Sequence, residues 1–343
     1  MSEDLAQLKR DYEAISTSGN TPGVRDLYPY IVSQKGLTEK DIPERKYLLG
    51  DWLPIDSFGM VYADRGVGKS WFCMALCVAV ARGDKFFVGW EINKRYSALY
   101  VDGEMAQIDL KQRFQELVGE MPLANLFVLP SEDLYREGNP LCLDEVNEQK
   151  AIEKALIDLE DRNSRPQLIV LDNLSTLRRG INENDNSEAQ KLLDWLVALR
   201  HKGYAVIIVH HSGKSGQQRG ASIIEVPMDF SLKLSEPGDK EALRDGACFD
   251  FEFTKVRGRH PKPDQGNASL RPDSNGVLYL ATDPNAIHDR IHKILKYTGL
   301  HGKKSVRELA EVFKVSTGTI SADRTKLASQ GYLDRQFAVT YDG

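Results

Sequence analysis

The sequence predicts an α/β protein: a doubly wound, mostly parallel sheet extended by antiparallel strands, followed by a small winged helix-turn-helix domain. Three observations carry that prediction. Short, β-branched and solidly apolar runs alternate with helical patterns, as strands buried on both faces of a parallel sheet do. From Met228 the runs alternate apolar with polar, the texture of antiparallel strands. Residues 287–340 carry ten Lys and Arg against five Asp and Glu, in a chain whose net charge is −5. A basic module on an acidic body points to nucleic acid as the partner of the module.

The elements follow in order. Residues 1–41 are polar, with a helical pattern over Leu5–Ile15 and a loop at Gly19–Gly23, and read as an arm that either packs on a neighbouring subunit or frays. A body over 42–283 opens with Ile42–Pro54, a stretch that could line the base of a bound nucleotide. Phe58–Ala63 reads as a buried strand; Trp71–Ala81, apolar almost all round and stopped by Gly83, reads as a buried helix. Further strands are expected at Ser97–Asp102, Leu126–Leu129, Gln167–Asp172 and Ala205–His210, separated by helices at Ile108–Met121, Glu145–Arg162 and Ser187–Arg200. The last helix puts Leu192, Leu193, Leu196 and Leu199 on one stripe.

The antiparallel extension is expected at Asp229–Leu234, Phe249–Lys255 and Val277–Ala281, with turns at Pro237–Asp239 and Asp273–Gly276 and a basic, proline-broken loop at Arg257–Pro263. In the module over 284–343, Ile287, Ile291, Ile294 and Leu295 mark one helix. Ser305 and Glu308 form a capping box opening a second helix through Leu309 and Phe313, and Ser316 caps a third over Thr317–Gln330. Tyr332–Thr340 alternates like a small wing, which completes a helix-turn-helix arrangement.

Hydrophobic content of 41% and charged content of 28% suit a soluble globular chain, no run approaches a membrane span, and the Met-Ser-Glu-Asp start has no basic-then-apolar leader. Cys73, Cys77, Cys142 and Cys248 form no C-x-x-C pair, and two fall in the buried helix, as thiols in a reducing cytoplasm would. The seven histidines show no zinc-binding pattern.

Chemistry concentrates where strands end. Ala63, Asp64, Arg65, Gly66, Val67, Gly68, Lys69, Ser70 and Trp71 span a phosphate-binding loop set between strand and helix, with alanine in the first glycine position. Such a loop wraps the β-phosphate of ATP with backbone N–H groups, reaches the β- and γ-phosphates with Lys69 and holds Mg2+ with the Ser70 hydroxyl. Asp172 ends a strand where a carboxylate would hold the same Mg2+ through water, and its neighbour is Asn173, where many ATPases place a catalytic glutamate. Glu104, in Tyr100-Val-Asp-Gly-Glu104, is the candidate to orient and deprotonate the attacking water; Asp102 is the substitute, and ordinary loop acids are the alternative.

His211, following His210 at a strand end, is placed to meet the γ-phosphate. Lys255 and Arg257, one residue apart on a strand, point the same way and could stabilise transferring phosphate. Arg178 and Arg179 lie in one polar loop, Arg178–Asp185, and Lys214 and Arg219 in another, Ser212–Ser222, both suited to a phosphodiester backbone. Arg324 and Lys326 are candidates for contacting duplex DNA from the third helix of the module; protein docking is the other use of such a module.

In their order, Ala63–Ser70, Val101-Asp-Gly-Glu104, Leu168–Asp172, His210-His211, Arg219-Gly-Ala-Ser222 and Lys255-Val-Arg257 resemble the motif series of RecA-like ATPases, most of all the plasmid replicative-helicase RepA type, over about residues 42–260. The resemblance implies a hexameric ring with Glu104 as catalytic base, His211 as γ-phosphate sensor, and Lys255 and Arg257 as fingers acting in trans on a neighbour's ATP. Asp64 departs from the small residue or proline common in such loops, and the C-terminal module is additional to a minimal helicase. The expectation is a cytoplasmic, ring-forming DNA motor using ATP and Mg2+, a helicase of a plasmid, phage or other mobile element, with single-stranded DNA in the ring and duplex DNA at the winged helix. An ATP-switched DNA-binding regulator or loader that does not unwind is the alternative. A small-molecule kinase would leave the wing module and paired loops without a task.

Overall fold

The computed structural model describes residues 7, 27–84, 86–92, 94–178, 186–211, 225–237, 247–282, 294, 297–298, 301–313 and 315–329, without the side chains of 86, 186–189, 282 and 326–329. The chain divides into two units, Met1–Glu44 and Arg45–Gly343. In the first, Tyr28–Tyr30 form a 3-10 turn, and the Ser33 hydroxyl caps α1 (Gln34–Glu39) by accepting the Gly36 N–H at 3.0 Å. The helix expected over Leu5–Ile15 lies outside the described residues apart from Gln7.

In the second unit, β1 (Tyr47–Leu49) and β2 (Leu53–Pro54) form a hairpin ahead of β3 (Phe58–Ala63), all six of whose residues are buried. Phe58, Met60 and Tyr62 enter one core and Val61 and Ala63 the other, because successive strand side chains point to opposite faces. A strand apolar at every position needs cover on both sides. α2 (Lys69–Arg82) covers one side with eleven buried residues, Cys73 and Cys77 among them, and stops at Gly83, whose φ of 73° suits the left-handed cap.

The alternation continues through β4 (Phe86–Phe87), β5 (Trp90–Glu91), β6 (Ser97–Asp102), α3 (Gln107–Val118), β7 (Leu126–Pro130), α4 (Ser131–Arg136), α5 (Val146–Asp161), β8 (Pro166–Asp172), α6 (Leu174–Leu177), α7 (Asn186–His201) and β9 (Ala205–His211). β10 (Phe230–Ser235), β11 (Cys248–Val256), β12 (Gln265–Pro272) and β13 (Leu278–Thr282) complete one nine-stranded sheet in the order β13-β12-β11-β10-β3-β9-β8-β6-β7. From β10 to β7 the neighbours are parallel and from β10 to β13 antiparallel, so the extension expected from Met228 is present but its first strand, β10, still runs parallel to β3 and the reversal comes at β11. α5 and α7 close the face opposite α2, with Leu192, Leu193, Leu196 and Leu199 buried together.

Several elements are not among those expected, including α4, α6 and the short β4 and β5. β12 is not anticipated: its sequence is mostly polar, and Ala268 and Leu270 alone are buried, too thin an alternation to read. Ile42–Pro54 divides, with residues 42–46 and Asp51 exposed and the apolar residues of the β1–β2 hairpin turned into the core. Leu48, Leu49 and Leu53 are fully buried, and Trp52 packs edge-on against Trp90, Phe230 and Phe253 at 5.1, 5.1 and 4.6 Å. Apolar side chains of that size find more burial inside the sheet extension than over a ligand.

In the C-terminal segment, α8 (Val306–Phe313) and α9 (Thr317–Ser329) enclose a small core of Ile294, Leu309, Ala310 and Ile320. Both caps form as expected: Ser305 and Glu308 exchange hydrogen bonds at 2.7 and 3.1 Å, and Ser316 Oγ accepts the Thr319 N–H at 3.1 Å. Thr319 Oγ1 also donates to Gln265 Oε1 of β12 at 3.0 Å. The expected wing, and Ile287, Ile291 and Leu295, lie outside the described residues.

Candidate active site

The phosphate-binding loop leaves β3 at Ala63 and enters α2 at Lys69. Gly66 and Gly68 take φ of 81° and 115°, and a Cβ on Gly68 would also press on Ala247 and Phe249 at 3.1 Å. Asp64, Arg65 and Gly66 are exposed and Val67 is buried. Lys69, buried, donates from Nζ to the carbonyl oxygens of Ala63 at 3.0 Å and Asp64 at 2.8 Å. Burial pulls its pKa down, against the nearby charges of Asp172, Glu104 and Asp64. Trp71 is half-buried, with the Arg113 guanidinium of α3 at 5.0 Å from its ring centre.

The register brings the remaining candidates level. Ala63 pairs with His211 across β3 and β9, and Asp102 with Asp172 across β6 and β8, so four strands end together at one edge of the sheet. Ligands of doubly wound sheets bind at that carboxyl edge. Asp172 is buried; its Oδ2 accepts the Tyr100 hydroxyl at 2.5 Å. Burial raises the Asp172 pKa, while hydrogen bonds from Tyr100 and Ser70 and the charge of Lys69 pull it back.

Asp102, also buried, accepts the N–H groups of Glu104 at 3.2 Å and Met105 at 3.0 Å, and burial pushes its carboxyl up to about 7. Glu104 is exposed, and its Oε2 accepts a hydrogen bond from Asn173 Nδ2. His211 is half-buried; burial, then the charge of Lys69, lowers its pKa, which keeps the ring neutral at neutral pH. Ser70 and Asp172 thus present a hydroxyl and a carboxylate side by side, hard oxygen donors of the kind Mg2+ takes.

Lys69, Ser70, Glu104, Asp172 and His211 therefore converge. Lys255 and Arg257 do not join them. Ser231 of β10 pairs with both Lys255 and Met60, and the Arg257 N–H donates to Asp229 O, next to the start of β3. That is the amino side of the sheet: along β3, Met60, level with Lys255, is ~10 Å from Ala63, and Phe58, near Arg257, is ~16 Å from it, at ~3.3 Å per strand residue. Both side chains bond to carbonyls of the preceding turn, Lys255 to Glu225 and Val226, and Arg257 to Val226.

Two candidate DNA contacts are corrected. Arg178 is bound to Asp144 at 2.9 Å, with side chains 14% and 2% exposed, because a carboxylate taken out of water recruits the nearest cation. Arg324 is buried with Ile320 on the inward side of α9, away from the exposed face of that helix. The outward side carries Thr317, Ser321 and Thr325. Arg179, Lys214 and Arg219 lie outside the described residues, as does the Lys326 side chain.

Tyr100 is the site residue that the sequence reading passed over. A hydroxyl in an otherwise apolar buried strand, two residues before Asp102, is the signal that would have found it, since a buried tyrosine needs a partner.

A family profile described as an AAA domain matches residues 31–217, more than half of the chain. The chain belongs to the AAA domain family. Within this AAA domain lie the loop, Glu104, Asp172 and His211, gathered at one edge of the mostly parallel sheet. A second profile, a DeoR-like helix-turn-helix domain, matches residues 290–338. No curated protein matches the chain.

Similar solved structures include the flagellar accessory protein FlaH from Methanocaldococcus jannaschii, at 14% identity and TM-score 0.42, over 66% of this chain and 89% of that one. Another is a KaiC-like protein from Pyrococcus horikoshii OT3, at 14% identity and TM-score 0.46, over 70% of this chain and 99% of that one. No helix among the described residues is long and apolar enough to cross a membrane.

Proposed function

We propose that this AAA domain protein is a ring-forming, ATP-dependent DNA motor, a cytoplasmic hexameric helicase of the RepA type that serves a plasmid, phage or other mobile element. The convergence of Lys69, Ser70, Asp172, Glu104 and His211 at one edge of the sheet carries the ATPase part of that reading.

In the proposed cycle, backbone N–H groups of the loop wrap the phosphates, and Lys69 exchanges the carbonyls of Ala63 and Asp64 for phosphate oxygens. Ser70 and Asp172 would hold Mg2+, which supplies neutralisation of the phosphate charge. Glu104 takes the proton of the attacking water, and the neutral His211 ring meets the γ-phosphate. Lys255 and Arg257, remote from this chain's own loop, serve a neighbour's nucleotide, which is the reason for a ring. Duplex DNA meets the outward face of α9 and the loops after β8 and β9 grip a single strand.

Strand separation of a forked DNA substrate, measured beside DNA-stimulated ATP hydrolysis, tests the motor. ATP hydrolysis without unwinding on any fork polarity would replace it with the second reading, an ATP-switched DNA-binding regulator. The DeoR-like module and the Thr319–Gln265 contact that ties it to the sheet support that second reading.

A further inference from the structure

The turns that follow β6 and β8 are fastened to each other. The Gly103 N–H donates to Asp172 O at 2.7 Å, and a Cβ on Gly103 would stand 2.7 Å from Leu177 Cγ and Thr176 Oγ1. α6 therefore lies hard against the turn that carries Glu104. Asn173, 2% exposed, is the residue between them.

The orientation of its amide is settled by its partners. Oδ1 accepts the Thr176 N–H at 3.1 Å and the Thr176 hydroxyl at 3.3 Å, which caps α6 and leaves Nδ2 as the end that faces Glu104. Nδ2 donates to Glu104 Oε2. Glu104 Oε1 makes no hydrogen bond among the described residues, while Asp102 holds the backbone N–H groups of Glu104 and Met105 from below. One carboxylate oxygen is thus fixed to a rigid, buried cap, and the other is open. The amide is also neutral, in a site that already sets Asp172 and Glu104 near Lys69 and Asp102 near those two carboxylates.

We propose that Asn173 is a positioning residue for hydrolysis: it anchors Oε2 of Glu104 so that Oε1 is presented to the attacking water. The inference rests on the reading of Glu104 as the base. Asn173 stands at the position after the strand-ending carboxylate and supports a base supplied by the neighbouring strand.

The test is a double-mutant cycle in the full chain, with ATP turnover and the Kd of a fluorescent ATP analogue as readouts. Asn173→Ser keeps a residue that caps helices as well as asparagine, but its hydroxyl is too short to reach Glu104. The expected result is a kcat lower by about ten- to hundredfold, with KM and Kd within about twofold of the parent, the scale for a misplaced group. In a Glu104→Gln background the same change should have no further effect on the residual turnover, because Asn173 acts only through that carboxylate.

Parental kcat in Asn173→Ser, or an equal loss in both backgrounds, would overturn the proposal, the latter by revealing a general effect on the fold. Normal turnover in Glu104→Gln instead removes the base itself, a separate failure. Should Asn173→Ser unfold, Asn173→Thr keeps the cap and is judged by the same cycle.

Discussion

Asp102 and Asp172 stand side by side in register at the ends of β6 and β8, two carboxyl groups only 1% and 4% exposed. Burial raises the pKa of both, that of Asp102 to about 7. A carboxyl that holds its proton longer when folded contributes stability that is whole below pH ~4 and is lost as the pH rises through about 7. Asp102→Asn keeps an oxygen to accept the N–H groups of Glu104 and Met105 and removes the ionisation. In buffer free of nucleotide and magnesium, its advantage over the parent in chemical denaturation should widen between pH 5 and pH 8, to no more than about 4 kcal/mol. An advantage that is constant across that range counts against the raised pKa.

Lys69 and Glu104 should fail differently. Lys69→Ala removes a phosphate contact and should weaken both nucleotide binding and hydrolysis. Glu104→Gln keeps the shape and the bond from Asn173 but loses the base, so ATP should bind while turnover falls about a hundredfold or more. Equilibrium binding and single-turnover assays separate the two patterns, and unimpaired turnover in Glu104→Gln would move the role to Asp102.

Arg257 should matter to a neighbour. Its place at the amino edge of the sheet, beside the start of β3, leaves it out of its own chain's phosphate loop. Mixed oligomers of Arg257→Ala and Lys69→Ala should recover part of the ATPase activity that each lacks alone, since some interfaces pair an intact loop with an intact finger. Mixed oligomers, verified by mass, that stay inactive would argue that the two cations only brace the turn at Glu225 and Val226.

Changes to the two sides of α9 should have opposite consequences. Thr317→Glu with Ser321→Glu adds charge to the outward face and should weaken duplex DNA binding by the full chain, most visibly at low salt, without altering its melting temperature. Arg324→Ala empties a buried position and should lower the melting temperature of the module. DNA affinity unchanged by the two glutamates would assign the face to protein contact.

Arg178→Ala should destabilise the body by about 3–5 kcal/mol, because Asp144, with a side chain 2% exposed, loses its counter-charge. A mild effect on stability with a large one on DNA binding would instead give Arg178 a role in holding DNA.

What could be read in the sequence was what depends on neighbours along the chain. β3 and β6 match their expected bounds because each holds an unbroken buried run, Phe58–Ala63 and Ala98–Val101, stopped by an aspartate, and the Ser305 and Ser316 caps are written in three-residue spacings. The loop at Ala63–Ser70 is legible for the same reason. Pairings across the fold were not: Asn173 reaches Glu104 across 69 residues, and Arg178 reaches Asp144 across 34. Nor does a list of donors along α9 reveal which of them, like Arg324, turn inward. β12 owes its existence to the strands beside it, since its own residues carry little apolar pattern.

Cys73 and Cys77 lie one helical turn apart on α2, directly behind Lys69, and with Cys142 and Cys248 every thiol of the chain is buried. Burial pushes the Cys73 and Cys77 thiols up, away from the thiolate that reacts. A small alkylating reagent therefore meets an unreactive surface until the helix swings out. The pace at which those two sulfurs are modified is a built-in stopwatch for the opening of the segment that grips the nucleotide, and it should slow when ATP is bound.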